Sequence, residues 1–167
     1  MQIVPLSPGS PDFAAVTRLW ADCDLTRPWN DPDADLARAV DGASSTVLVA
    51  RTEAGDGTGS TPGTASGPPG GLVGTVMAGH DGHRGWVYYL AVAPGHRGTG
   101  LGTELLRAAE DWLDRQGVPK VMLMVRAENA GTLAFYERLG YADQGVSVLG
   151  RFLDPELQRL REGAEQS

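Results

Sequence analysis

The chain has 167 residues, of which 41% are hydrophobic and 21% charged, and its formal net charge is −7. This length and composition are those of a single globular domain. The negative net charge argues against a nucleic-acid-binding surface. No apolar run approaches the roughly 20 residues that cross a bilayer. The N-terminus lacks the features of a signal peptide and the single Cys23 cannot form an intrachain disulfide, so we expect a cytoplasmic protein.

The first third of the chain predicts a strand and two helices. Residues 2–4 form a short apolar run, and Ser10 is the expected N-cap of the first helix, because Pro11 and an acid follow it. The apolar residues of that helix recur at helical spacing: Phe13, Val16, Leu19 and Trp20. Asp31-Pro32 gives the same start signal for a second helix, whose inner residues are Leu36 and Val40 and which ends at Gly42.

Two strands follow, with an unusual segment between them. Residues 45–51 and 71–79 are rich in β-branched side chains. Residues 54–70 are mainly Gly, Ser, Thr and Pro, which is the composition of a flexible linker. Neither flanking strand carries a separate core, so we interpret this segment as a long hairpin loop inside one domain that spans 1–167.

The second half of the chain predicts a strand–helix–strand unit across residues 86–127. Residues 85–93 form an apolar strand, and 120–127 form another. Between them lies a helix whose apolar residues are Leu101, Leu105, Ala109 and Trp112. Such a unit implies two parallel strands joined by a right-handed crossover.

A further helix and a last strand are expected near the C-terminus. Asn129 is the expected N-cap of this helix, and Gly140 ends it. Its expected inner residues are Leu133, Phe135, Tyr136 and Leu139. Residues 146–153 predict a strand, and the polar tail from Pro155 onward predicts a frayed helix.

Glycines at 98, 100 and 102 stand where the helix after strand 85–93 should begin. They allow backbone N–H groups to crowd at a helix N-terminus, where free amides and the helix dipole favour an anion such as phosphate. The lysine of a Walker loop is missing, and the glycine spacing does not fit a dinucleotide fingerprint.

The segment Arg97-Gly98-Thr99-Gly100-Leu101-Gly102 resembles the R/Q-x-x-G-x-G/A signature of the GNAT superfamily of acetyl-CoA-dependent N-acetyltransferases. Asn129, followed by FYERLGY at 135–141, resembles the second hallmark of that superfamily. The resemblance extends from residue 1 to about 153. It implies an α/β (α+β) fold, in which a mixed central sheet with a splayed parallel pair is flanked by helices.

The resemblance also implies a role for particular residues. The amides of 97–103 would hold the coenzyme A pyrophosphate, a bulge in strand 86–93 would splay the sheet and polarise the thioester carbonyl, and Tyr136 would protonate the departing thiolate. The residues expected to bind acetyl-CoA are Leu90, Ala91, Val92, Arg97, Gly98, Thr99, Gly100, Leu101, Gly102, Thr103 and Asn129.

Two features depart from the superfamily pattern. The strand before the glycine loop, Trp86-Val87-Tyr88-Tyr89-Leu90, holds no carboxylate, so Asp81, Asp31, Glu128 and a water chain all stay open as the general base. The last hairpin is short, which leaves the acceptor site open on one side unless a second subunit of a homodimer completes it.

In the fold that the resemblance implies, the loop between the first two helices borders the acceptor site. Arg27, Trp29 and Asp31 would line it, although Asp31 also fits as a helix cap and Trp29 as a packing residue. Asp81 is a further candidate for acceptor binding. The sequence His80-Asp81-Gly82-His83 is explained by an Asp-Gly turn without a metal, and no metal site is expected.

The expected function is acetyl transfer from acetyl-CoA to a primary amine of a small molecule or a protein, by direct attack in a ternary complex. The alternative is a non-catalytic protein of the same fold that senses an acyl-CoA or regulates a partner. The acceptor itself is not identified by the sequence.

Overall fold

The computed structural model describes residues 1–52 and 71–165, which form two compact units. The first unit comprises residues 1–26 and 31–122, and the second comprises 27–30 together with the described chain from 123 onward. The predicted loop 54–70 lies outside the described residues. None of the described helices is long and apolar enough to cross a membrane.

A five-stranded sheet, all of which except Leu123 belongs to the first unit, has the strand order β1-β2-β3-β4-β5. Its first four strands pair antiparallel, whereas β4 and β5 are parallel. The strands are β1 (Gln2–Pro5), β2 (Ser45–Arg51), β3 (Leu72–His80), β4 (Gly85–Val92) and β5 (Val121–Leu123). The predicted mixed sheet with one parallel pair is therefore confirmed.

The helices of the first unit pack on the two faces of this sheet. They are α1 (Phe13–Asp22), α2 (Pro32–Asp41) and α3 (Leu101–Arg115). The buried Thr75 of β3 accepts a hydrogen bond from Trp20 of α1, whereas a Cβ at the preceding Gly74 would come 2.7 Å from Leu105 of α3. Since successive residues of a strand face opposite sides, α1 and α3 cover opposite faces.

The core follows from the amphipathic pattern of these helices. The helix α1 buries Val16, Leu19 and Trp20, as its apolar spacing predicts. The helix α3 buries Leu101, Leu105, Leu106, Ala109 and Leu113. Trp112 is only partly buried, because the inward stripe passes through Leu113, where a Cβ at Gly85 would lie 2.8 Å from the Leu113 side chain.

The second unit contains two helices, α4 (Ala130–Arg138) and α5 (Pro155–Glu165). Asn129 is the N-cap of α4, as predicted, and Tyr136 is the only residue that this helix buries. The expected inner face was too wide, because Leu133 is exposed and Phe135 and Leu139 are only partly buried.

Several predicted boundaries are wrong. The N-cap of α1 is Asp12, not Ser10, because the Ser10 hydroxyl accepts a hydrogen bond from the Asp12 amide and turns the chain two residues before the helix. The strand predicted over 120–127 covers only the three residues of β5. Residues 146–153 form no strand, since nothing among the described residues pairs with them, and Leu149 and Leu153 are more than 90% exposed.

Candidate functional site

A β-bulge interrupts β4 near its carboxyl end. Thr75 faces Ala91 and Met77 faces Tyr88, so the single residue Val76 lies opposite both Tyr89 and Leu90. Tyr89 has a φ of +49°, which is rare for an aromatic residue. The predicted bulge in this strand is thus present, and it bends the chain where residues 90–92 begin.

Among the described residues, no strand pairs with β4 beyond the bulge on the side of β5. Gly85, at the start of β4, donates its N–H to the Lys120 carbonyl at 2.9 Å, just before β5 begins. Because β5 has three residues and β4 has eight, β5 reaches less than half of β4. An open strand edge can pair with the amides of an extended ligand.

The loop after β4 leads into α3 through two left-handed glycines. A short 3-10 turn, Pro94–His96, follows the strand. Gly98 has a φ of +75°, and Gly100, the N-cap of α3, has a φ of +93°, a region that favours glycine. Of the residues described, none caps this helix with its side chain, and none would lie within 4 Å of a Cβ at either glycine.

This loop presents a row of unpaired backbone donors. Within residues 1–52 and 71–165, no group accepts a hydrogen bond from the N–H groups of 98–102. The N–H groups at the two ends of the predicted stretch 97–103 already have acceptors. The Arg97 N–H donates to the Pro94 carbonyl at 3.3 Å, and the Thr103 N–H donates to the Gly100 carbonyl at 2.9 Å. Successive free amides at a helix N-terminus form a site for an anion of the phosphate type.

The side chain of Arg97 is turned back onto the strand. Its Nε donates to the Val92 carbonyl at 3.1 Å, and its guanidinium also contacts Sγ of Cys23 at 3.5 Å. Arg97 therefore fastens the loop to β4, and the backbone provides the free donors.

Asp31 and Asp81, both in the first unit, have structural partners. Asp31 Oδ1 caps α2 by accepting the Ala34 amide at 3.0 Å, as predicted. Asp81 Oδ1 accepts the amides of His83 at 2.8 Å and Arg84 at 2.7 Å in the turn between β3 and β4. These backbone hydrogen bonds lower the pKa of Asp81 to about 2.

The turn that holds Asp81 lies far from the glycine loop. It precedes the first residue of β4 and the glycine loop follows the last, so the whole strand separates them. The buried Nδ1 of nearby His80 has no hydrogen-bond partner within the described part of the chain. No group of three or more metal-binding side chains occurs in the described part of the chain.

The second unit carries Arg27, Trp29, Asn129 and Tyr136. Asn129 Oδ1 accepts the Thr132 amide at 3.1 Å, so the side chain caps α4. Tyr136 packs edge-on between Phe135 and Tyr141, with ring centroids 5.0 and 5.6 Å away. Burial raises the pKa of Tyr136 to about 12, which keeps its phenol protonated at neutral pH.

Sequence reasoning missed the residues that support the bulge. The Tyr89 hydroxyl donates to Asp35 at 2.9 Å, and its ring stacks on Trp20. One signal was available: a phenol in an otherwise apolar strand needs a polar partner when it is buried. The identity of that partner, 54 residues earlier, leaves no local pattern.

Known proteins are similar to this chain in sequence. The sequence profile of the acetyltransferase (GNAT) family matches residues 14–141. An acetyltransferase of Yersinia pestis is 39% identical over 142 residues, which cover 85% of this chain and 89% of that protein.

Solved structures share the fold at low sequence identity. The ribosomal-protein-alanine N-acetyltransferase of Brucella melitensis is 21% identical, with a TM-score of 0.63 over 91% of this chain and 100% of that one. An aminoglycoside acetyltransferase from an uncultured soil metagenomic sample, solved with sisomicin, is 17% identical, with a TM-score of 0.67 over 92% and 96% of the two chains.

Proposed function

Because this chain belongs to the acetyltransferase (GNAT) family, we propose that it transfers an acetyl group from acetyl-CoA to a primary amine by direct attack in a ternary complex. The observation that carries the proposal is the row of free N–H groups at 98–102, which opens α3 directly after the bulged end of β4. This placement fits a ligand that has a phosphate group at one end and an extended amide-bearing arm at the other.

The first unit would hold the acetyl donor with backbone groups. The amides of 98–102 would bind the pyrophosphate, and the open edge of 90–92 would pair with the pantetheine arm. Arg97 supports this arrangement indirectly, since its bond to the Val92 carbonyl fixes the turn between the two stretches.

The chemistry needs an oxyanion site and a proton donor. Attack of the amine on the thioester places negative charge on the carbonyl oxygen, which backbone N–H groups at the bulge would stabilise. The departing sulfur then takes a proton, and we assign its donation to Tyr136, whose raised pKa keeps the proton in place until that step. Asn129, at the start of the same helix, would bind the coenzyme.

The low pKa of Asp81 makes it a poor candidate for the general base. A carboxylate whose pKa is about 2 is a weak base, so it is poorly matched to removing a proton from an ammonium group. Asp31 and Glu128 remain candidates, together with a chain of water molecules.

The acceptor that we propose is a cationic amine. The net charge of −7 attracts cations at long range. Two proteins of the same fold are described by their names as acting on a ribosomal-protein alanine and on aminoglycosides, which are amines of a protein and of a small molecule. Arg27, Trp29, Asp31 and Asp81 are the residues proposed to contact the acceptor.

The test is thiol release from acetyl-CoA across a panel of amines. The panel contains an aminoglycoside, a basic peptide with an N-terminal alanine, and neutral amino acids. We expect release with at least one cationic amine and little with neutral amines. Absence of amine-dependent release across the panel, in a protein that binds coenzyme A, would contradict the proposal and favour an acyl-CoA sensor.

The order of the reaction is tested through Cys23, the single thiol of the chain. Its Sγ lies 3.5 Å from the Val92 carbonyl, so an acetyl-cysteine intermediate is the rival mechanism. Direct attack predicts that Cys23→Ala retains activity and that initial-rate plots intersect. Loss of activity in this variant, with parallel plots, would establish the rival.

A further inference from the structure

Tyr89 is fixed in place at three of its groups. Its ring stacks on Trp20, with centroids 4.0 Å apart and an interplanar angle of 12°. Its hydroxyl donates to Asp35 Oδ2 at 2.9 Å, and its carbonyl accepts from the Thr75 hydroxyl at 3.3 Å. Trp20 itself donates from Nε1 to the same Thr75 hydroxyl at 2.9 Å, so the contacts close into one network.

The network surrounds a backbone conformation that would not persist by itself. The left-handed φ of Tyr89 is unfavourable for a residue with a Cβ, and such conformations are kept only where the surroundings enforce them. Residues of two helices hold Tyr89 in this conformation, since Trp20 lies in α1 and Asp35 lies in α2. The bulge is therefore anchored to both helices on its face of the sheet.

We propose that Asp35 is a positioning residue for acetyl transfer: by accepting the Tyr89 hydroxyl, it holds the β4 bulge in the shape that presents the following amides to the thioester carbonyl. This inference rests on the proposed function. The position of the bulge supports it, since Tyr89 directly precedes the 90–92 edge. A hydrogen-bond donor misplaced by about 1 Å can slow a reaction by about a hundredfold, so the anchoring of this strand matters for rate.

The two carboxylate oxygens of Asp35 have different partners. Oδ1 pairs with Arg38 at 2.5 Å on the same helix, whereas Oδ2 receives the Tyr89 hydroxyl. Burial and the neighbouring Asp35 carboxylate raise the pKa of Tyr89 far above its usual range, so the phenol remains a donor at all physiological pH values. The substitution Asp35→Asn removes the charge and keeps an acceptor oxygen. It therefore distinguishes a positioning role of Asp35 from an acid–base role.

The experiment compares Asp35→Asn, Asp35→Ala and Tyr89→Phe in the full chain. We expect Asp35→Ala and Tyr89→Phe each to lower kcat by about 10- to 100-fold, and to weaken coenzyme A binding by a smaller factor than kcat, because the variants loosen the 90–92 edge but leave the donors at 98–102 untouched. Asp35→Asn keeps an oxygen that accepts the Tyr89 hydroxyl and should stay within about threefold of the wild type. The double variant Asp35→Ala/Tyr89→Phe should be no slower than either single variant.

Matched controls are available on the same helix. Asp33→Ala removes an exposed carboxylate two residues away, and Arg38→Ala removes the ion pair without touching the Tyr89 hydroxyl. Both should retain wild-type kcat. Wild-type kcat in Tyr89→Phe would overturn the proposal, as would an Asp35→Asn variant that is as slow as Asp35→Ala and loses the acidic limb of the pH profile, which would make Asp35 a general base.

A measurement independent of activity completes the test. Hydrogen exchange of the amides of Leu90, Ala91 and Val92 in the free protein should become at least about tenfold faster in Tyr89→Phe, because the bulge loses one anchor. Unchanged exchange would overturn the anchoring itself. If the wild type binds no coenzyme A, the proposed function fails, and the exchange result still decides whether the network holds the bulge.

Discussion

Thr103 donates its backbone N–H to the carbonyl of Gly100 at 2.9 Å, and this bond closes the first turn of α3. Among the residues that the structure describes, the five preceding N–H groups, at the positive end of the helix dipole, have no acceptor. Gly100 makes this turn possible through its left-handed φ, and no described residue lies within 4 Å of a Cβ placed on it. A side chain introduced there would therefore project into the place where the pyrophosphate is proposed to bind.

Gly100→Asp and Gly100→Asn form a matched pair at this position. Both residues tolerate the left-handed region better than other side chains, and they have nearly the same volume, so the comparison isolates the added negative charge. We expect Asp to weaken coenzyme A binding by at least about tenfold more than Asn, measured by calorimetry. Equal affinities in the two variants would show that no anion binds at this loop.

A second prediction concerns the connection between β2 and β3. Thr52 N–H donates to the Gly71 carbonyl at 3.2 Å, so the two ends of the connection are already paired. Replacing residues 53–70 by Asn-Gly, the preferred two-residue turn, should keep the hairpin and raise the free energy of unfolding by up to about 2 kcal/mol, because a shorter loop loses less entropy on closure. Thermal melting and coenzyme A titration test this, and a melting temperature lower by more than about 5 °C would contradict it.

A third prediction concerns acid stability. The pKa of Asp81 is about 2 in the folded chain and close to 3.8 in an unfolded one, so ionised Asp81 stabilises the fold above pH 4, and this contribution disappears as the pH falls towards 2. Asp81→Asn keeps an oxygen for the His83 and Arg84 amides but removes the charge. We expect its melting temperature to be lower than that of the wild type at pH 7, with a difference that shrinks below pH 4.

The same variant tests the assignment of Asp81 to acceptor binding. If the carboxylate contacts a cationic acceptor, Asp81→Asn raises the acceptor KM and leaves the KM for acetyl-CoA unchanged. Asp33→Asn serves as the control, because Asp33 is also exposed and lies on a helix without such a turn. An unchanged acceptor KM would restrict Asp81 to its structural role in the turn.

Local signals explain which parts of the fold could be predicted. Asp31 followed by Pro32 specifies a cap and a first helical position within two residues, and the structure shows both. The signal of Gly98 and Gly100 is also local, since a residue without a side chain adopts the left-handed conformation at little cost, and both glycines have a positive φ. The loop that they form could therefore be located from the sequence alone.

Long-range pairing explains the failures. Residues 146–153 have the β-branched and apolar content of a strand, yet strand formation also requires a neighbouring strand, which the sequence does not identify. The Asp35–Tyr89 hydrogen bond was missed for the same reason. Its two residues are far apart along the chain, and the sequence around either one does not indicate the other. The candidate site was thus predictable in its backbone loop and unpredictable in its supporting side chains.

The last prediction concerns Tyr136, and its matched control is Tyr141→Phe. Tyr141 lies edge-on to Tyr136 and belongs to the same aromatic cluster, so its variant removes one hydroxyl from the same surroundings. We expect Tyr141→Phe to retain kcat within about threefold. A comparable loss of kcat in Tyr136→Phe and Tyr141→Phe would indicate that the cluster acts through packing, not through one phenol.

Tyr136→Phe should keep the fold and the coenzyme A affinity but slow acetyl transfer, because the ring stays packed while the proposed proton donor is removed. General acid catalysis contributes about 10²–10⁴-fold, and we expect a loss near the lower end, because a phenol whose pKa is raised to about 12 gives up its proton less readily than an ordinary tyrosine. The raised pKa also means that the wild-type kcat has no basic limb from Tyr136 below about pH 11. Steady-state rates measured from pH 7 to 10 with both substrates saturating test both statements. Full activity in Tyr136→Phe would leave the phenol as a core group and assign the proton on sulfur to water.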